Sequence, residues 1–179
     1  MKLSTKDLIF VAMGASIMAV LTQISIPFPV VPLTLQCFGA ILLGTIFGAK
    51  LSTMSILVYI LLGAVGIPVF SGGRSGFGAL FGATGGFIFG FILLAFGSGI
   101  ASNFSNKKIK IGIVYISLIS QYLVGIVQLA FITKSSFAEA VIMGIGVGGV
   151  YLIKDIVLGA VAIFVGQKVK YQLKRTLAN

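Results

Sequence analysis

The apolar positions of this chain fall in long blocks, and the positions that divide them are few: prolines, glycines and short groups of lysines. A hydrocarbon core about 30 Å thick takes about 20 apolar residues to cross as a helix, so the blocks predict membrane spans. Five are plain, at residues 8–27, 33–49, 51–70, 77–102 and 111–133. They are divided by a proline-rich stretch at 27–32, by Lys50, by the glycine-rich 71–76 and by the basic 103–110. Residues 135–179 allow two divisions. A single long span would hold Lys154 and Asp155 at mid-membrane, at about 2.5–3.5 kcal/mol each. The other division starts a short helix at the capping-box sequence Ser136-Phe137-Ala138-Glu139 and interrupts it at Gly144, Gly146, Gly148 and Gly149. The last span then runs from about Tyr151 to Val169, with Lys154 and Asp155 in its first turns, where an acid suits the positive end of the helix dipole. This second division is preferred. It predicts an all-α polytopic membrane protein of six transmembrane helices, with residues 1–179 forming a single membrane-embedded domain. The first block is too long for a signal-peptide core and is expected to remain as a helix.

Composition narrows the chemistry. Hydrophobic residues make up 58% of the 179, charged residues 9%, and the mean hydropathy is +1.17. There are 13 Lys/Arg but only three acids, Asp7, Glu139 and Asp155, and no His. Nucleophile–His dyads and His-rich metal centres need residues this chain lacks, and three scattered acids make a poor cluster for an intramembrane enzyme. The chain is read as a non-enzyme without metal or cofactor, one that binds or conducts a solute. Cys37 is the lone cysteine and has no intrachain disulfide partner.

Charge sets the orientation, because Lys and Arg gather in short cytoplasmic loops. Six spans with both termini in the cytoplasm place ten of the 13 cations there: Lys2, Lys6, Lys50, Lys107, Lys108, Lys110, Lys168, Lys170, Lys174 and Arg175. Arg74, Lys134 and Lys154 are left outside or near the outer boundary. A seventh span would export the basic C-terminus. The positive balance therefore reads as contact with anionic inner-leaflet lipid and not as nucleic-acid binding, and the chain as a multi-pass protein of the cell membrane.

The outer ends then collect the polar chemistry: Thr34 and Gln36 after the prolines, Arg74 among glycines, and Lys154 beside Asp155. Two cations and one acid suit a small anionic or amphoteric solute. Arg74 can also serve as a loop cap facing headgroups, and Lys154 and Asp155 as a local ion pair; neighbours on a helix point about 100° apart and need not serve one ligand. Asp155 is the stronger site candidate, since a lone acid amid Ile153, Ile156 and Val157 needs a partner.

Other patterns are weaker. The segment from Gly44 to Ser52 departs from a phosphate loop in the spacing of its second glycine and in Ala49 before Lys50. Asn103-Phe104-Ser105 is a sequon on the expected inner face. Gln121 and Gln128 share a helix face and either line a cavity or, as preferred, bond to neighbouring helices. Ala12/Ser16 and Ala15/Ala19 place small residues four apart, which lets another helix approach closely.

Several motifs in order resemble one family. Pro32-Leu33-Thr34-Leu35-Gln36, then the segment from Gly63 to Phe70 leading into Gly72-Gly73-Arg74-Ser75-Gly76, then Gly82-Ala83-Thr84-Gly85-Gly86-Phe87 with Gly90-Phe91, are similar to the BioY family. These are the biotin-binding S components of energy-coupling factor (ECF) vitamin transporters. The resemblance covers essentially the whole chain. It implies six helices, cytoplasmic termini, a biotin pocket near the outer side, and two kinds of partner: a transmembrane T component and a pair of ABC ATPases. The small-residue stripe of the first helix, here Ala12, Ala15, Ser16 and Ala19, is implied to face the T component. Asp155 is implied to accept the ureido N–H groups, as a carboxylate can. Family members commonly carry a Lys one turn after that Asp, where this chain has Leu158, so the biotin carboxylate is assigned to Arg74 first and Lys154 second. Thr34, Gln36 and Gly73 join the expected site, and Phe70, Phe77 and Tyr151 are expected to build its apolar wall. High-affinity biotin capture and uptake is the function this implies. The rivals are an S component for another vitamin and a ligand-free assembly subunit.

Overall fold

The computed structural model describes residues 3–27 and 30–178. Lys2, counted above with the inner cations, and residues 28–29 of the proline-rich stretch lie outside the described residues. Helix α1 (Thr5–Gln23) starts under a capping box between Ser4 and Asp7. Two short strands, β1 (Ser25–Ile26) and β2 (Leu33–Thr34), pair antiparallel with Ser25 opposite Thr34, and fold the next loop back on itself.

Helix α2 (Gln36–Ala64) contains one non-helical residue, Gly48, at φ 77° and ψ 175°. In a straight helix residues 36 and 59 would lie roughly 35 Å apart at 1.5 Å per residue. Instead the Gln36 side chain reaches the Tyr59 hydroxyl at 3.1 Å. The chain doubles back at Gly48, and α2 is two antiparallel arms. The expected division at Lys50 is thus real but falls two residues earlier, at the residue whose missing Cβ permits the positive φ.

The expected block 77–102 is likewise split, into α3 (Gly76–Leu80) and α4 (Gly85–Ala101). Gly85 sits so close beneath the Leu80 carbonyl that a Cβ there would lie 1.6 Å from its oxygen. Helix α5 (Lys107–Thr133) begins earlier than the apolar pattern suggests, under an Asn106 side chain that accepts from Lys108 N at 2.9 Å. The Ser136–Glu139 capping box opens α6 (Phe137–Ile145) as the sequence indicates, and glycines at positive φ, Gly146, Gly148 and Gly149, lead into α7 (Val150–Ala178).

Small residues decide how closely these helices meet. Helix α4 lies between α2 and α5. On one face Gly86, Gly90 and Gly97 admit α5 at Val124, Gln121 and Ser117; on the other, Gly99 touches the Ala49 backbone. At the far end of α7, Lys170 donates to Ser102 Oγ at 3.0 Å. The basic tail of α7, the basic 103–110 stretch with the start of α5, and the Gly48 reversal therefore share one end of the bundle.

Among the described residues, four stretches are long and apolar enough to cross a membrane: Thr5–Gln23, Gln36–Ala64, Lys107–Thr133 and Phe137–Leu173. Gly85–Ala101 is apolar but shorter. Large apolar side chains such as Val20, Phe131 and Val147 are exposed around the outside, as for a surface solvated by lipid.

Candidate functional site

At the end of the bundle away from Gly48, the start of α2, the 71–74 turn and the first turns of α4 and α7 converge on a cavity. Counted with its mouth it holds about 540 Å³ free of protein atoms. Among its lining residues are Thr34, Gln36, Arg74, Tyr151, Lys154 and Asp155. Six of the residues singled out in the sequence are thus brought together from three separate segments, 34–36, the turn at 74 and 151–155.

Asp155 is the centre. It is 3% exposed, and such a carboxylate in an apolar bundle must be partnered. Tyr122, reaching across from α5, donates to Oδ2 at 2.7 Å. The Lys154 ammonium lies 2.8 Å from Oδ1, so that oxygen is ion-paired. The same ammonium donates to the Thr34 carbonyl. Adjacent on one helix, Lys154 and Asp155 still serve one cavity because the long lysine side chain folds toward the acid beside it.

Arg74 is exposed at the mouth. Gly72 and Gly73, both at φ 70°, turn the chain so tightly that Phe70 N bonds to Arg74 O at 3.0 Å, and Arg74 Nε donates to Ser71 O at 3.0 Å. Its terminal nitrogens have no hydrogen bond among the described residues. Arg74 and Lys154 against Asp155 leave one positive charge in excess, the balance that attracts a monoanion.

Phe87, Ile88 and Phe91 of α4 and Tyr122 of α5 form the apolar wall, with Phe87 edge-on to Tyr122 at 5.9 Å. The expected aromatics are placed differently. Tyr151 lines the cavity, but Phe70 is buried behind it, edge-on to Tyr59 at 5.5 Å, and Phe77 is 66% exposed and stacks on Phe81. Phe77 points outward because Gly76, at φ 78°, ends the turn and α3 runs along the surface. Gly73 shapes the turn that carries Arg74 without lining the cavity itself. Gln121 does line it, while also bonding to Phe87 O at 3.4 Å; Gln128 only bridges to Leu80 O and Gly82 O, both at 2.9 Å.

Tyr122, Phe87, Phe91, Thr84 and Cys37 were not legible as site residues. A phenol or phenylalanine in an apolar helix carries no sign of which way it faces. The only available signal for Tyr122 was the need of Asp155 for a partner.

The small residues of α1 divide into two faces. Ala15 is 1% exposed and Ala19 packs on the core, whereas Ala12 and Ser16 are exposed, with Ser16 Oγ bonded to Ala12 O at 2.9 Å.

A family model described as the BioY family matches residues 1–175. The Biotin transporter BioY2 of Lactococcus lactis subsp. cremoris (strain MG1363) is 38% identical over 142 residues, 77% of either chain. The Probable biotin transporter BioY of Pyrococcus horikoshii is 34% identical over 168 residues, 94% of this chain and 98% of its own. A crystal structure of the S-component for biotin from an ECF-type ABC transporter superposes with a TM-score of 0.81 and covers 95% of each chain. At 22% identity that likeness concerns the fold.

Proposed function

Since the chain belongs to the BioY family, we propose that the cavity captures biotin and that the protein serves as the S component of an ECF-type transporter. The observation that carries this reading is the state of Asp155: a buried carboxylate in the cavity lining, with Oδ2 held by Tyr122 and Oδ1 paired with the Lys154 ammonium at 2.8 Å. Each carboxylate oxygen carries two lone pairs, so both keep acceptor capacity that a ureido N–H can take up. The fused rings lie against Phe87, Phe91 and Tyr151. The valerate tail runs toward the mouth, where Arg74 takes its carboxylate, with Lys154 as the second cation.

The same reading gives the chain six membrane spans. The reversal at Gly48 divides α2 in two, and α1, α4, α5 and α7 supply the others. Both termini and the basic loops are then cytoplasmic, which sets the cavity at the outer side. Loaded protein delivers biotin by moving against a transmembrane T component driven by ABC ATPases; Ala12 and Ser16 offer that partner the accessible part of the small-residue stripe.

The test is equilibrium titration of detergent-purified protein with labelled biotin, with other water-soluble vitamins as competitors. Saturable binding displaced by biotin alone, and lost in a folded Asp155→Ala variant, is expected. Displacement by a different vitamin, or undiminished affinity in the variant, overturns the assignment.

A further inference from the structure

A buried hydrogen-bonded chain runs from α1 to the cavity wall. Thr22 Oγ1 donates to the Met18 carbonyl at 2.7 Å and lies 3.1 Å from the Tyr59 hydroxyl, which lies 3.1 Å from Gln36 Nε2. Gln36 Oε1 in turn accepts from Thr34 Oγ1 at 2.9 Å. Thr22 and Tyr59 are 0% exposed, Gln36 7% and Thr34 8%, so no bulk water competes for these groups.

The direction of every proton along this chain follows from its ends. A carbonyl only accepts, so the single Thr22 hydroxyl proton goes to Met18 O, and toward Tyr59 the Thr22 oxygen is an acceptor. The Tyr59 proton therefore goes to Thr22, and toward Gln36 the phenol oxygen is an acceptor. Gln36 must present its NH2 group there, which turns Oε1 toward Thr34. The other end agrees: Thr34 Oγ1 accepts from Gln36 N at 3.4 Å, leaving its own proton for Oε1. The orientation of a glutamine amide is set by its network, and here both ends demand the same one. The second N–H of Gln36 has no acceptor among the described residues, and Gln36 lines the cavity.

We propose that Tyr59 and Thr22 are positioning residues that lock the Gln36 amide with an N–H facing the cavity, so that the site selects ligands offering a carbonyl acceptor at that point. This rests on the biotin reading. The ureido group carries such a carbonyl between two N–H donors, and the cavity answers with a fixed donor from Gln36 and a fixed acceptor from Asp155. Without the Tyr59 hydroxyl the amide is free to rotate and present oxygen or nitrogen, and discrimination falls even though Gln36 itself is intact.

The experiment compares dissociation constants for biotin and its thiocarbonyl analogue, in which a weaker acceptor, C=S, replaces the ureido C=O. The wild-type protein is expected to favour biotin. In Tyr59→Phe the ratio of the two constants should shrink by about fivefold, the weight of one hydrogen bond; Thr22→Val should shift it in the same direction. In a Gln36→Leu background the Tyr59→Phe change should leave the ratio where it is. A ratio unchanged in Tyr59→Phe, or in Thr22→Val should the first variant not fold, overturns the proposal, as does a wild-type ratio near one. Absence of saturable biotin binding by the wild-type protein would instead overturn the reading on which it rests.

Discussion

Tyr122 on α5 donates a 2.7 Å hydrogen bond to Oδ2 of Asp155 on α7, joining two helices that otherwise touch little. The bond fixes which carboxylate oxygen is left for a ligand. In Tyr122→Phe the ring and its packing against Phe87 remain but the donor is gone, and Asp155 is free to swing toward Lys154. Biotin affinity should fall by roughly 10–100-fold, the range for hydrogen bonds to a charged group. Titration of the purified variant checks this, and an unchanged constant would mean the phenol does not orient the acid.

Arg74 at the mouth and Lys154 deeper in can be told apart by the ligand's own charge. Arg74→Ala should weaken biotin by about tenfold, in the range of a partly exposed charge-assisted contact, and should barely affect biotinamide, which lacks the carboxylate. Equal weakening of both ligands would remove the charge role from Arg74.

The two halves of the α1 stripe should behave in opposite ways. Ala12→Leu enlarges an exposed position, so biotin binding should persist while copurification with the T component declines. Ala15→Leu forces three extra carbons into a site 1% exposed and should lower the thermal midpoint, at about 1–3 kcal/mol. Loss of copurification without loss of folding in Ala15→Leu, with Ala12→Leu neutral, would reverse the assignment of faces.

Two glycines should fail for different reasons. A Cβ at Gly99 would lie 2.2 Å from Ala49 N, so Gly99→Ala must part α4 from α2. A Cβ at Gly48 meets nothing within 4 Å, yet Gly48→Ala is strained by φ 77°, at about 1–3 kcal/mol. Thermal unfolding of both variants should show a loss, and because ψ is 175°, outside the left-handed region that Asn tolerates, Gly48→Asn should lose about as much as Gly48→Ala. A loss for Asn well below that for Ala would count against backbone strain as the cause.

Much of this arrangement was legible in the sequence, for identifiable reasons. Apolar blocks locate membrane helices because lipid leaves the backbone no other way to satisfy its hydrogen bonds. The Ser136–Glu139 capping box and the glycines after it separated α6 from α7, and that placed Asp155 at a helix start. Asp155, Lys154, Arg74, Thr34 and Gln36 stood out because polar groups are rare in such a chain. What was not legible depends on rotation about helix axes. Phe77 and Phe87 look alike in sequence; one faces outward from a surface turn and the other faces the cavity. Tyr59 gave no sign that it touches Gln36, because that contact exists only once Gly48 has folded α2 upon itself.

The reversal at Gly48 also bears on where open space can lie in the bundle. Its first arm, residues 36 to 47, is about 18 Å long at 1.5 Å per residue. That is little more than half the depth of a hydrocarbon layer about 30 Å thick. None of the residues of this arm is exposed, so the neighbouring helices shield it from lipid. The depth that the arm leaves unfilled is where Gln36 and Cys37 line the cavity, so a solute can be seated within the bundle without parting its helices.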